Sequence, residues 1–293
     1  MNFTVETDGS EVCDLRTRIF TALAALCVLA PFIIFSETFM LEIFVSVLAS
    51  VSVFEMLKCA GLDKKCFVAI PSYAVTFFMP VIARRVAPEL SAPLFSVIGA
   101  IFFIYMFYLM TAAVFSHGKL TITEAATTFM LTVYVAFSFL CIILLRDIKN
   151  GQFIYLLIFI SAWMTDSGAY FVGRFLGKHK LIEDVSPKKT VEGAVGGVVI
   201  CVLSYLIYGV IVGNVLDAVP NYPALIILGV ITSIISQCGD LIASLLKRHY
   251  KIKDYGYVFP GHGGVLDRFD SIIAVAAFLY IVISSSGFFE LFF

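Results

Sequence analysis

PALIILGVITSIISQCGDLIASLL (residues 223–246), KRHYKIKDYGYVFPGHGGVLDRFD (247–270) and SIIAVAAFLYIVISSSGFFE (271–290) follow one another in the chain. The outer two pieces are apolar and about twenty residues long, the length a helix needs at about 1.5 Å per residue to cross a hydrocarbon core of roughly 30 Å. The middle piece is basic and rich in glycine. Inside a bilayer every backbone N–H and C=O must be satisfied within the protein, so two such blocks joined by a polar loop read as two transmembrane helices.

The same rhythm runs along the chain, with apolar blocks near 17–35, 38–57, 66–83, 93–115, 125–145, 153–171, 192–213, 223–246 and 271–290. Of the 293 residues, 60% are hydrophobic and 14% charged, against roughly a quarter charged in a soluble domain. The fold class expected is all-α, a polytopic transmembrane helical bundle of eight or nine spans. Block 66–83 is the weakest, because it contains Pro71 and Pro80 and is followed by Arg84 and Arg85. It reads as a kinked span, a re-entrant piece or an irregular connection.

With nine spans, 16 of the 20 Lys and Arg residues fall on the amino terminus and on the connections after spans two, four, six and eight. Cytoplasmic loops are enriched in these residues, so the amino terminus and both polar loops are expected to face the cytoplasm. Arg16 and Arg18 precede the first block, which runs on through Pro31 to Phe35 and reads as a retained span rather than a cleaved signal. A net charge of −1 predicts no nucleic-acid partner. The seven cysteines are scattered without a C-x-x-C pair and read as reduced packing residues. No repeat is visible. Residues 1–150 read as an N-terminal transmembrane scaffold and 151–293 as a transmembrane catalytic region with loops 172–191 and 247–270.

Two constellations could carry chemistry. In the first, Asp240, Ser244, Lys247 and Arg248 are spaced to share one helix face. Asp240 lies inside an apolar span, where a charge costs a few kcal/mol at least and must be compensated. A salt bridge with Lys247 or Arg268 would do so; so would coordination of a hard divalent cation such as Mg²⁺, which prefers carboxylate oxygens and often shares them with phosphates. Then Pro260-Gly261-His262-Gly263-Gly264 leads to Asp267, Arg268 and Asp270. Its glycines allow close backbone approach, and the following helix would point free N–H groups at an anion, a phosphate site in outline. Asp267 could equally be an N-cap, with Asp270 favouring the helix dipole. For His262 a structural or hydrogen-bonding role fits phosphoryl-type chemistry better than a general base does.

The second constellation is DSGAYFVGRFLGKHKLIEDVSPKKTVEG (166–193). Arg174, Lys178, Lys180, Lys188 and Lys189 with the hydroxyls of Ser186 and Thr190 suit the gripping of phosphates. A basic loop can also be a topology signal alone, although that does not account for Asp166 at the end of a span. The stretch Gly173 to Lys178 lacks the spacing and the Ser/Thr of a P-loop.

The run from Ser244 to Asp270, with Lys247-Arg248, Lys253-Asp254, His262-Gly263-Gly264, Asp267-Arg268 and Asp270, resembles the signature of phosphatidate cytidylyltransferases, the CDP-diacylglycerol synthases. Asp166, Ala169-Tyr170, Gly173-Arg174, Gly177-Lys178 and Ser186-Pro187-Lys188-Lys189-Thr190 are similar to the same family; Val191 departs from it, where Trp is expected. The resemblance implies attack of a phosphatidic acid oxygen on the α-phosphorus of CTP, with Mg²⁺ as cofactor and room for a monovalent cation. It implies metal binding by Asp240 and Asp267 with support from Asp166 and Asp270, and phosphate neutralisation by Lys247, Arg248, Lys253 and Arg268. Ser186, Lys188, Lys189 and Thr190, with Arg174 and Lys178, would hold the triphosphate, and His262 would belong with the catalytic residues of the 247–270 loop. A homodimer in the lipid bilayer is also implied. Rival readings are another CTP-using membrane enzyme, such as a polyprenol or phytol kinase or an ether-lipid cytidylyltransferase, and a secondary transporter with carboxylates at the midplane.

Overall fold

The computed structural model describes residues 31, 35–86, 93–259, 263–285 and 291. The expected first span (17–35) lies almost entirely outside the described residues, as do Arg16, Arg18, Cys13, Cys27 and His262. Eight long helices carry the other eight blocks. They are α1 (Phe39–Cys59), α2 (Cys66–Val81), α3 (Leu94–Phe115), α4 (Ile122–Asp147), α5 (Leu156–Leu176), α6 (Val191–Leu216), α7 (Tyr222–His249) and α8 (Leu266–Ser285). A single helical turn, Gly151–Ile154, precedes α5. Among the described residues, seven helices are long and apolar enough to cross a membrane; α8 is the eighth, with 20 residues and a charged first turn.

The weakest block proves helical throughout. α2 continues into a π-helical turn, Ile82–Val86, so the segment is a span-length helix with Pro71 and Pro80 inside it. The wider turn brings Arg84 and Arg85 onto one carboxylate: Glu42 of α1 accepts from Arg84 Nη1 at 3.1 Å and Arg85 Nη2 at 2.6 Å. Arg84 also reaches Asp147 of α4 at 2.8 Å. These pairs lock one end of α1, α2 and α4 together.

The all-α expectation needs one correction. Inside the loop expected at 172–191, β1 (Lys180–Ile182) and β2 (Ser186–Thr190) form an antiparallel hairpin. Pro187 bars a helix there by removing a donor, and the hairpin runs straight into α6, where Thr190 Oγ1 accepts from Gly193 N at 3.1 Å as the N-cap.

α4 is central, packed against α1, α2, α3 and α8, and α5, α6 and α7 pack on one another. α8 joins the two groups through α7, α5, α4 and α1, with Phe269 against Phe139 of α4 at 5.7 Å between ring centroids. Hydroxyls bridge the helices where apolar contact alone gives no specificity. Tyr105 Oη bonds Ser72 Oγ at 2.7 Å and Thr132 Oγ1 at 3.1 Å, across α2, α3 and α4. Thr165 donates to Ser233 at 2.9 Å, and Tyr205 to the Leu157 carbonyl at 3.0 Å, across α5, α6 and α7. The five cysteines among the described residues are free, as expected.

The α5–α6 contact depends on small residues. A Cβ at Gly197 would stand 2.9 Å from the Thr165 carbonyl oxygen, which cannot move without moving α5. Gly197→Val is therefore expected to cost about 1–3 kcal/mol through overpacking and to lower the melting temperature in detergent. An unchanged melting curve would contradict this packing.

Candidate active site

Three carboxylates lie inside helices that meet at one end of the bundle. Asp166 of α5 is about 15 Å along the helix axis from Leu176, Asp240 of α7 about 14 Å from His249, and Asp270 of α8 about 6 Å from Leu266, at 1.5 Å per residue. They stand within electrostatic reach of one another, with Lys189, Lys247 and Arg268 acting on them. Asp166 is exposed and the other two are half-buried, so the group opens on a cleft.

Lys189 of β2 reaches Asp240 Oδ2 at 2.6 Å. Asp240 is thus compensated by the hairpin, while Lys247 goes to Asp267. Ser244 shares its face and donates to Oδ1 at 3.4 Å. One turn before Asp240 and one residue after Asp270, the hydroxyls of Ser236 and Ser271 are buried without a hydrogen-bond partner among the described residues.

Asp267 is placed differently. Its side chain is only 3% exposed, and Oδ1 receives Lys247 Nζ at 2.8 Å. Oδ2 accepts from Tyr255 N at 2.8 Å and Gly264 N at 2.9 Å. Gly263 has φ +82°, and a Cβ there would meet Asp267 Oδ2 at 2.8 Å, so only glycine lets the loop close over this carboxylate. Tyr255 completes the corner, donating to the Ala243 carbonyl at 2.9 Å under the Lys247 ammonium, 5.3 Å from its ring centroid. Burial, reinforced by neighbouring groups including Asp267, pushes the Tyr255 phenol well above its usual range.

The helix N-terminus expected to receive a phosphate already receives an anion. Glu55, four residues before the C-terminal end of α1, accepts from Val265 N at 3.0 Å and Leu266 N at 2.8 Å. Glu55 therefore takes the capping role considered for Asp267, which sits one residue into α8. The sequence signal was present, a lone acid in Val53-Phe54-Glu55-Met56-Leu57, but the reading of residues 1–150 as scaffold gave it no role.

The remaining cations stand at the same end. Lys178, Lys188, Arg248, Lys253 and Arg268 are exposed, and Arg174 donates to the Tyr170 hydroxyl at 2.7 Å. Glu192 organises the hairpin base by accepting from Lys178 N at 3.1 Å and meeting His179 Nδ1 at 2.6 Å. Lys180 bonds the Pro187 carbonyl, and Ser186 is half-buried at the start of β2. The Thr190 hydroxyl lies among Gly173, Gly177 and Gly193, where added Cβ atoms would approach it to 2.8–2.9 Å. Val191 opens α6 and is exposed, beside an apolar groove of about 460 Å³ lined by Val172, Leu176, Val195 and Val199.

The sequence matches the cytidylyltransferase family over residues 16–286. The chain belongs to the cytidylyltransferase family. Among its relatives, the phosphatidate cytidylyltransferase of Bacillus subtilis is 32% identical over 274 residues, covering 92% of this chain and 98% of the relative. The phosphatidate cytidylyltransferase of Staphylococcus aureus (strain COL) is 34% identical over 273 residues, with 93% and 100% covered. That of Staphylococcus haemolyticus is 33% identical over 270 residues, with 92% and 99% covered.

A metal would find a partial cage in this family member. Among the described residues no three His, Cys, Asp or Glu side chains form a metal-holding group by themselves. Mg²⁺ does not require one, since it is commonly held by one or two carboxylates together with substrate phosphates and water. Asp240 with one of Asp166 and Asp270 as a second carboxylate, next to the unpartnered Ser236 and Ser271 hydroxyls, fits that pattern. Asp267 fits it less well, because three donors already occupy three of its roughly four lone-pair sites.

The Lys247–Asp267 pair can be tested alone. Lys247→Met strands a buried carboxylate and is expected to destabilise the protein by about 3–5 kcal/mol. Adding Asp267→Asn should return part of that stability. Thermal unfolding of the two single variants and the double variant checks this; strictly additive losses would contradict a buried pair.

Proposed function

We infer that this protein transfers the cytidylyl group of CTP to phosphatidic acid, forming CDP-diacylglycerol and releasing pyrophosphate. The observation that carries the reading is that a chain matched nearly end to end by phosphatidate cytidylyltransferases brings Asp166, Asp240 and Asp270 within electrostatic reach of one another and of Lys189, Lys247 and Arg268.

A phosphatidate oxygen attacks the α-phosphorus of CTP, a new P–O bond forms, and the bond to the β-phosphate oxygen breaks with its electron pair leaving on pyrophosphate. The nucleophile is already an anion, so positioning and charge neutralisation matter more than a general base. Arg248, Lys253 and Arg268 neutralise phosphates of either substrate, and Lys247 holds Asp267 and the loop above it. Ser186, Lys188 and Lys189 of the hairpin, with Arg174 and Lys178 below it, bind the triphosphate, and Thr190 fixes the hairpin to α6. His262 follows the same loop and lies outside the described residues. Mg²⁺, held by Asp240 with Asp166 or Asp270 and by substrate phosphates, would supply charge neutralisation as pyrophosphate departs. Asp267 would join this set only by giving up one of its present donors.

The spans number nine with 17–35 included. The amino terminus and both loops face the cytoplasm, where the excess of Lys and Arg belongs. The protein works in the cell membrane as a homodimer. A transporter reading is disfavoured by family membership.

The test is pyrophosphate release by the purified protein in detergent. Release is expected to require CTP, phosphatidic acid and Mg²⁺ together, and to fall by about 100-fold or more in folded Asp240→Asn, the scale of losing one electrostatic contact to the transition state. Release from CTP without phosphatidic acid, or none from folded wild type, would contradict the proposal.

A further inference from the structure

We propose that Glu55 of α1 is a positioning residue for the transfer reaction, holding the N-terminus of α8 and the loop before it so that Asp267, Arg268 and Asp270 keep their places. The proposal rests on the reading of the site given above. It adds a member from the half of the chain otherwise read as scaffold.

Glu55 is 2% exposed, and a carboxylate so placed in a span must be answered by donors. Its donors are two backbone N–H groups of the kind every helix start leaves unsatisfied, at Val265 and Leu266, and the positive end of the α8 dipole adds to them. The loop is also shaped around this carboxylate. A Cβ at Gly256 would meet Glu55 Oε1 at 2.3 Å, and a Cβ at Gly264 would meet the same atom at 2.3 Å. At both glycines the three nearest atoms belong to Glu55.

The residue after Leu266 is Asp267, whose Oδ2 accepts from Tyr255 and Gly264 of the same loop. The loop is therefore clamped between two carboxylates, Glu55 from α1 and Asp267 from α8. Releasing Glu55 frees the first turn of α8 to rotate or shift, carrying Asp267, Arg268 and Asp270 with it. A displacement of about 1 Å at reacting groups can reduce rate about 100-fold.

The experiment measures kcat, both KM values and thermal unfolding for Glu55→Gln, Glu55→Ala, Gly264→Ala and the Glu55→Ala/Gly264→Ala pair. Glu55→Gln keeps one acceptor and should be intermediate. Glu55→Ala and Gly264→Ala should each lower kcat by about tenfold or more while both KM values move far less. Because Gly264→Ala acts by displacing Glu55, it should cost little further in the Glu55→Ala background, a non-additive cycle. A merely structural Glu55 would lower the folded fraction and leave kcat per folded molecule unchanged. Wild-type kcat in folded Glu55→Gln and Gly264→Ala, or effects that multiply in the pair, would overturn the proposal. If Glu55→Ala fails to fold, the same cycle is run with Glu55→Gln. Asp240→Asn measured in parallel separates the two readings. A fully active Asp240→Asn removes the site assignment itself, whereas an inactive one beside fully active Glu55 and Gly264 variants removes only the positioning role.

Discussion

A carboxylate withdrawn from water has to be met by donors, and the polar end of this bundle is organised around that demand. Asp267 is met by Lys247 and two loop N–H groups, Glu55 by the start of α8, and Asp240 by Lys189 of the hairpin. Each answer ties a loop to a helix or one helix to another. Two loops are thereby tied to the helices that carry Asp166, Asp240 and Asp270. Preorganised charge of this kind is what phosphoryl-type transfer requires of a protein, since little covalent chemistry is left for side chains to perform.

α8 is the element through which this order spreads. It packs on α7 and α5 on one side and on α4 and α1 on the other, and its first turn carries three charged residues of the site. The ion pairs joining Glu42, Arg84, Arg85 and Asp147 bind α1, α2 and α4 at the opposite end. The amino-terminal helices are thus fixed far from the site, and α1 reaches into the site through Glu55.

Much of the architecture was legible in the sequence because span length and hydropathy are strong constraints in a bilayer. Blocks 38–57 through 271–290 each became a helix, including 66–83, whose two prolines left its form open until the π turn at Ile82–Val86 accounted for it. The candidate site residues were also visible, Asp240 as a charge inside an apolar block where charge is costly, Lys247 and Asp267 through the pattern of the polar loop. Their pairings were not, because spacing along a helix says which residues share a face and nothing about which loop folds onto it. Asp240 finds Lys189, 51 positions away, and Lys247 finds Asp267 across a 20-residue separation. Glu55 was passed over because an acid in an otherwise featureless span offers no local pattern; its partners are 210 and 211 residues away. The hairpin escaped because its strands are three and five residues long, too short for an alternation to register.

As proposed, the carboxylates of α5, α7 and α8 bind the divalent cation beneath a loop held by Asp267 and Glu55. The most direct measurement is the position of Mn²⁺, located by anomalous diffraction in crystals of the protein with a non-hydrolysable CTP analogue. Manganese density is expected among Asp166, Asp240 and Asp270, with Asp267 still paired to Lys247. Density centred on Asp267 with Lys247 displaced, or found away from all four carboxylates, would contradict it.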